Sequence, residues 1–153
     1  MPGTRKRSTL TRADYAELAA FRRTLREFLR FSEHAAKQAG LTARHYQALL
    51  MLRGRDGGKY ASIDDLAQEL LIKHNSAVGL VDRLAHEGLV ARRRAAADRR
   101  RVELRLTAKG QRVLAKLATV HRVELRRIGP MFRRFFARMP ATTARRSRAR
   151  SRS

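Results

Sequence analysis

The chain contains no cysteine. Disulfides, thiolate metal sites and thiol-based redox sensing are therefore excluded. Acidic residues are scarce: 13 Asp and Glu stand against 36 Lys and Arg, a formal net charge of +23 over 153 residues. A field of that sign attracts polyanions, nucleic acid first among them. No uncharged apolar run approaches bilayer length, and no apolar stretch follows the basic start Met-Pro-Gly-Thr-Arg-Lys-Arg. Neither a membrane span nor a secretory signal is expected, and the chain reads as cytoplasmic and nucleoid-associated. The sequence also lacks a nucleophile–base pair, a phosphate-cradling glycine loop and a metal-ligand cluster, so neither an enzyme nor a cofactor is expected. Gly54, Gly57 and Gly58 lie between two helical patterns and read as a turn.

What is present suits one mostly α domain with a small β-hairpin. Residues 1–10 form a basic arm, residues 11–139 the domain, and residues 140–153 an Arg/Ser-rich tail too poor in apolar residues to bury a core. Thr11 with Asp14 makes a capping-box start, and Leu18, Phe21, Leu25, Phe28 and Leu29 keep helical spacing over 12–38. Gly40 ends that helix. Thr42 caps a second helix carrying Tyr46, Leu49, Leu50 and Arg53. Ser62 with Asp65 opens a third, whose buried stripe is Ile63, Leu66, Ala67 and Leu70, and Leu71, Ile72 and Lys73 form a short connection to the next helix.

A fourth helix spans roughly 74–86, with Ala77, Leu80, Val81 and Leu84 inward and Gly88 as its stop. Leu89 and Val90 begin a strand that runs into Arg92, Arg93 and Arg94. Val102, Leu104 and Leu106 alternate with Glu103 and Arg105 on the return strand. Arg99, Arg100 and Arg101 fall where the chain turns. Thr107 caps a last helix whose stripe holds Leu114, Leu117, His121, Leu125, Ile128, Phe132, Phe135 and Met139. The stripe passes straight through Gly129-Pro130, which predicts one kinked helix or two helices sharing a face.

Two helices joined by a tight turn and followed by a basic hairpin make a winged helix-turn-helix. Its second helix can enter the major groove, where base edges carry a distinct donor and acceptor pattern. On a helical wheel Asn75, Gly79, Asp82 and Arg83 lie opposite the buried residues, flanked by His74 and Ser76. Asn pairs bidentately with adenine and Arg with guanine. Arg93, Arg94, Arg99, Arg100 and Arg101 suit phosphates or a narrow minor groove. Asp98 reads as a structural partner for a nearby arginine.

Leu66-Ala67-Gln68-Glu69-Leu70, then Val81-Asp82-Arg83-Leu84 with Gly88-Leu89-Val90, then Asp98-Arg99-Arg100 with Leu106-Thr107 and Gly110, resemble the MarR family of bacterial winged-helix transcription factors. The resemblance covers about residues 12–139 and is strongest over 62–110. It implies N- and C-terminal dimerisation helices at about 12–38 and 107–139 around a DNA-binding part at about 42–106. It further implies a homodimer on double-stranded DNA with a pseudo-palindromic operator, most simply a repressor. A small aromatic or anionic effector that releases the DNA is also implied. One departure is Gly79, where related sequences often carry a larger polar or basic residue.

Phe21, Phe28, His45, Tyr46 and His121 are the candidate effector-pocket residues, because the second and last helices meet in that fold. The plain alternative for each is core packing. No metal site is expected, since His45 and His121 have no clear third ligand. The charge and Gly79 keep a second function open, a non-specific architectural protein with steep salt dependence.

Overall fold

The computed structural model describes residues 10–55, 60–95 and 102–138. Five helices and one hairpin follow in the order α1 (Arg12–Gln38), α2 (Ala43–Gly54), α3 (Ile63–Glu69), α4 (His74–His86), β1 (Val90–Arg94), β2 (Val102–Leu106) and α5 (Ala108–Arg138). The arm, the wing tip with Asp98 to Arg101, Gly57, Gly58, Met139 and the tail lie outside the described residues.

Local chemistry sets the helix ends. Thr11, Thr42 and Ser62 each accept a hydrogen bond from the backbone N–H three residues on, as N-caps do. Asp14 and Asp65 return the bond as carboxylates, whereas on α2 the partner is His45. At the other ends α1, α3 and α4 close with the same left-handed motif. The N–H groups of Leu41, Ile72 and Leu89 reach back to the carbonyls of Ala36, Ala67 and Leu84 at 2.9, 3.0 and 2.9 Å. The left-handed residue is Gly40 (φ +73°) on α1 and Gly88 (φ +68°) on α4. On α3 it is Leu71 (φ 52°), whose side chain is 92% exposed. A leucine carries no glycine signal, yet the polar and apolar pattern already puts Leu71 in the connection, and the helix ends at Glu69, one residue before the expected Leu70.

The core joins all the elements. Leu49, Leu66, Val81, Leu84 and Leu104 are fully buried where α2, α3, α4 and the hairpin meet. α5 is one continuous helix with Pro130 inside it, so the expected alternative of two helices does not arise. It packs along α1 and α2, burying Leu114, Leu117, His121 and Ile128. Leu125, expected on the same stripe, is 48% exposed. Four residues turn a helix by more than one full turn, so Leu125 stands to one side of the line from His121 to Ile128.

One contact fixes the hairpin against α5. A Cβ placed on Gly110 would overlap the Leu89 carbonyl oxygen, so only glycine fits. The Thr107 N–H donates to that same carbonyl at 3.0 Å, and its hydroxyl donates to the Gly88 carbonyl at 2.7 Å. Lys109 Nζ donates to the Glu87 carbonyl at 2.7 Å. The end of α4, the root of the hairpin and the start of α5 are thereby one unit. Gly110→Ala should lower the unfolding free energy by about 3 kcal/mol, as overpacking against backbone does. Gly79→Ala, where a Cβ meets nothing within 4 Å, should raise it by about 1 kcal/mol through helix propensity. Urea unfolding of the two variants checks the pair.

Candidate nucleic-acid interface

α4 presents two chemically distinct faces. Ala77, Val81 and Leu84 are buried, while His74, Asn75, Ser76, Gly79, Asp82 and Arg83 are exposed, as the wheel requires. The N-cap Lys73 makes no side-chain cap bond. Asn75 and Ser76 do not cap the helix either, so the first-turn N–H groups of α4 are left to an external acceptor. His74 Nδ1 lies 2.6 Å from Asp64 Oδ1, which holds the ring at the entrance to the helix.

The hairpin stands beside this face. Its antiparallel register pairs Arg92 with Leu104, Arg93 with Glu103 and Arg94 with Val102. Ala61 adds a single bridge to Leu104, with bonds of 3.3 and 2.7 Å. The three arginines of β1 have different surroundings. Arg92 pairs with Asp82 and so ties the hairpin to the outward face of α4. Arg93 donates to Glu103 at 3.1 Å and lies 4.4 Å from the centre of the Tyr60 ring. Arg94 is exposed and has no ion pair among the described residues. The spacing of the sequence could not reveal the Arg92 and Arg93 contacts, because their partners lie on other elements. Exposed pairs of this kind contribute about 1 kcal/mol at most, so their consequence is orientation more than stability.

A third fastening holds α3. Arg55, just past α2, lies 2.7 Å from Asp65 Oδ2. The guanidinium and the Ser62 N–H together hold the Asp65 carboxyl far below its ordinary value. Sequence reasoning assigned Asp65 only its capping role.

The five residues proposed for an effector pocket do not share a cavity. Tyr46 and His121 stack with ring centres 4.1 Å apart, and Phe28 meets His121 edge-on at 6.2 Å. His121 is a satisfied core group. Its Nδ1 lies 2.8 Å from the Leu117 carbonyl, which can only accept, so Nδ1 carries the proton. The Ser32 hydroxyl then donates to Nε2 at 2.8 Å. Phe21 sits elsewhere, stacked on Phe135 at 4.3 Å, because it lies two turns nearer the start of α1 than Phe28. His45 faces a third region, a cleft between α1, α2 and α4. No group of three or more His, Asp or Glu residues that could hold a metal occurs among the described residues. No helix there is long and apolar enough to cross a membrane.

His45 is the one pocket candidate with a titration consequence. The Thr42 N–H donates to its Nδ1 at 3.3 Å, which requires that nitrogen to be unprotonated. Burial pushes its pKa below 6.5, the Arg83 charge adds to that, and Glu87 opposes it. The unfolded chain therefore binds the proton more readily, and stability should fall as pH drops below the ordinary histidine value. His45→Gln keeps a capping-box acceptor without the titration. Urea unfolding from about pH 7.5 to about pH 5.5 should show a smaller loss of stability for this variant than for the parent chain.

A three-helix unit containing the helix-turn-helix pair α3–α4, followed by a two-stranded hairpin, defines a winged-helix domain. Residues 39–101 match the model of the MarR family. Solved structures agree. The transcriptional regulator PA4135 is 28% identical, covering 84% of this chain and 90% of its own, with a TM-score of 0.63. The transcriptional repressor CouR, solved on a 23-mer DNA duplex, is 26% identical over 85% of this chain and 97% of its own, with a TM-score of 0.63. AbsC, a MarR family transcriptional regulator from Streptomyces coelicolor, is 24% identical over 78% of this chain and 80% of its own, with a TM-score of 0.66. Curated protein sequences give no match. Over residues 39–101 the chain is thus similar to the MarR family, and it has the winged-helix fold of the transcriptional regulators it matches.

Proposed function

We propose that the chain is a homodimeric, sequence-specific DNA-binding regulator that represses at pseudo-palindromic operators. The observation that carries this reading is the outward face of α4. Asn75, Ser76, Gly79 and Arg83 are exposed on it at helical intervals beside a basic hairpin. Asn75 and Arg83 have the donor and acceptor groups that read adenine and guanine edges. The open first turn of α4, His74 and Arg94 suit phosphate oxygens, and Arg99, Arg100 and Arg101 keep that role from the sequence. Arg93 contributes mainly by holding its strand. CouR, similar in fold, has been solved with DNA and with p-coumaroyl-CoA, which favours the DNA reading and a small-molecule signal here.

The dimer is supported by exposed apolar surface on the two long helices. Leu18, Leu25 and Leu29 on α1 and Val123, Leu125 and Phe136 on α5 are between 37% and 65% exposed. A second copy would cover such residues. One α4 reads only a few base pairs, so a second half-site multiplies specificity.

Selection of bound duplexes from a random library, at near-physiological salt, should enrich an inverted repeat with half-sites about one helical turn apart. Tight binding without enrichment would establish the architectural alternative, which the charge and Gly79 favour. On the selected site Asn75→Ala should cost about 1–3 kcal/mol and leave random DNA untouched. Arg94→Ala should weaken every duplex and flatten the salt slope by about one unit for each phosphate no longer neutralised. Titrations at several salt concentrations separate the two variants.

A further inference from the structure

We propose that the cleft between the end of α2, the outer face of the hairpin and the start of α5 binds the diphosphate group of a small ligand. No residue of α4 lines it, so the site does not depend on α4 binding DNA. The cleft has a volume of about 560 Å³, within the range of small-ligand sites and larger than one phosphate needs.

Three arginines line it: Arg53 from the last turn of α2, Arg55 just past that helix, and Arg105 from β2. No Asp or Glu lines it among the described residues. Arg55 is held by Asp65 at 2.7 Å. Arg53 and Arg105 are exposed and have no ion pair among the described residues. Two guanidinium charges from two different elements are thus left over on one cleft. Like charges there repel each other, and an anion between them reverses the sign of that interaction. Guanidinium forks take phosphate oxygens two at a time.

The other polar groups add donors. Gln111, on the first turn of α5, contributes an amide. Ala108 opens α5 onto the cleft, so the positive end of that helix dipole adds to the arginine field. The Thr107 hydroxyl is already engaged, donating to the Gly88 carbonyl and accepting from the Gly110 N–H. Such a set answers a ligand with several acceptor oxygens and more than one negative charge, and a diphosphate has both. Leu52, Ala91 and Leu106 leave apolar wall for the organic part of a diphosphate ester.

The site lies apart from the α4 side of the hairpin. In the register Ala91 pairs with Arg105 and Arg92 with Leu104. Side chains alternate between the faces of a strand, so Ala91 and Arg105 lie opposite the face that Arg92 turns to Asp82. A second arginine trio, Arg122, Arg126 and Arg133, follows one face of α5. From the first to the last of these the helix rises about 16 Å, so no small anion meets all three.

Calorimetric titration of the full chain with inorganic pyrophosphate tests the site, at about 0.15 M salt to screen the general field. The parent chain should bind pyrophosphate about tenfold more tightly than orthophosphate. Arg53→Gln/Arg105→Gln should weaken pyrophosphate binding by about tenfold. Arg122→Gln/Arg126→Gln removes the same charge elsewhere and should stay within about twofold of the parent. Backbone amide shifts should centre on Ala91, Arg105 and Ala108. Absence of binding, or equal weakening in the two double variants, would overturn the proposal, as would shifts centred on α4. Titration with duplex DNA distinguishes the source of the phosphate. The two double variants should bind duplex equally, within about twofold. A loss confined to Arg53→Gln/Arg105→Gln would give these arginines to the DNA backbone and overturn the small-ligand assignment.

Discussion

The structure depends on one close approach of backbone to backbone, where α5 begins against the root of the hairpin. Gly110 lies so near the Leu89 carbonyl that no side chain can stand there. Thr107 bonds both Gly88 and Leu89 across the same junction. Because Leu89 also closes α4, that helix, the hairpin and α5 cannot move independently. Asp82 and Arg92 add a second fastening, farther along α4 and out on the strand. A protein that must present a helix and a wing to one surface needs their spacing fixed, and these two contacts fix it.

Charge plays a more divided part than its total implies. Arg92 and Arg93 are engaged with Asp82 and Glu103, and α1 and α5 carry Arg23 and Arg127 in pairs with Glu27 and Glu124. Within the hairpin, Arg94 on β1 and Arg105 on β2 are exposed and have no ion pair among the described residues. The net +23 is a general attraction to polyanions, and the proposed choice among them rests on the geometry of a few residues on α4 and β1.

Much of the fold was legible because local chemistry decided it. The bounds of α1, α4 and β2 follow from caps, stops and periodicity at Thr11, Gly40, Gly88 and the Val102–Leu106 alternation. The helix-turn-helix turn was placed at Leu71 to Lys73, although Leu71 occupies a conformation that usually advertises itself as glycine. The exposed face of α4 was readable from the wheel alone. The grouping of Phe21, Phe28, His45, Tyr46 and His121 was not. Helical spacing says which residues turn inward, and says nothing of how far apart along two antiparallel helices they fall. Tyr60 beneath Arg93, and Arg55 against Asp65, join elements separated in sequence, so no local pattern could show them.

The central claim is that α4 and the hairpin act as one unit on a duplex, while the rest of the basic surface stays out of the contact. Backbone amide shifts during titration with the selected duplex, at near-physiological salt, test it most directly. Residues 74–83 and 92–94 should move together and saturate at the same duplex concentration. Shifts spread over the arginines of α1 and α5, with α4 unmoved, would contradict it.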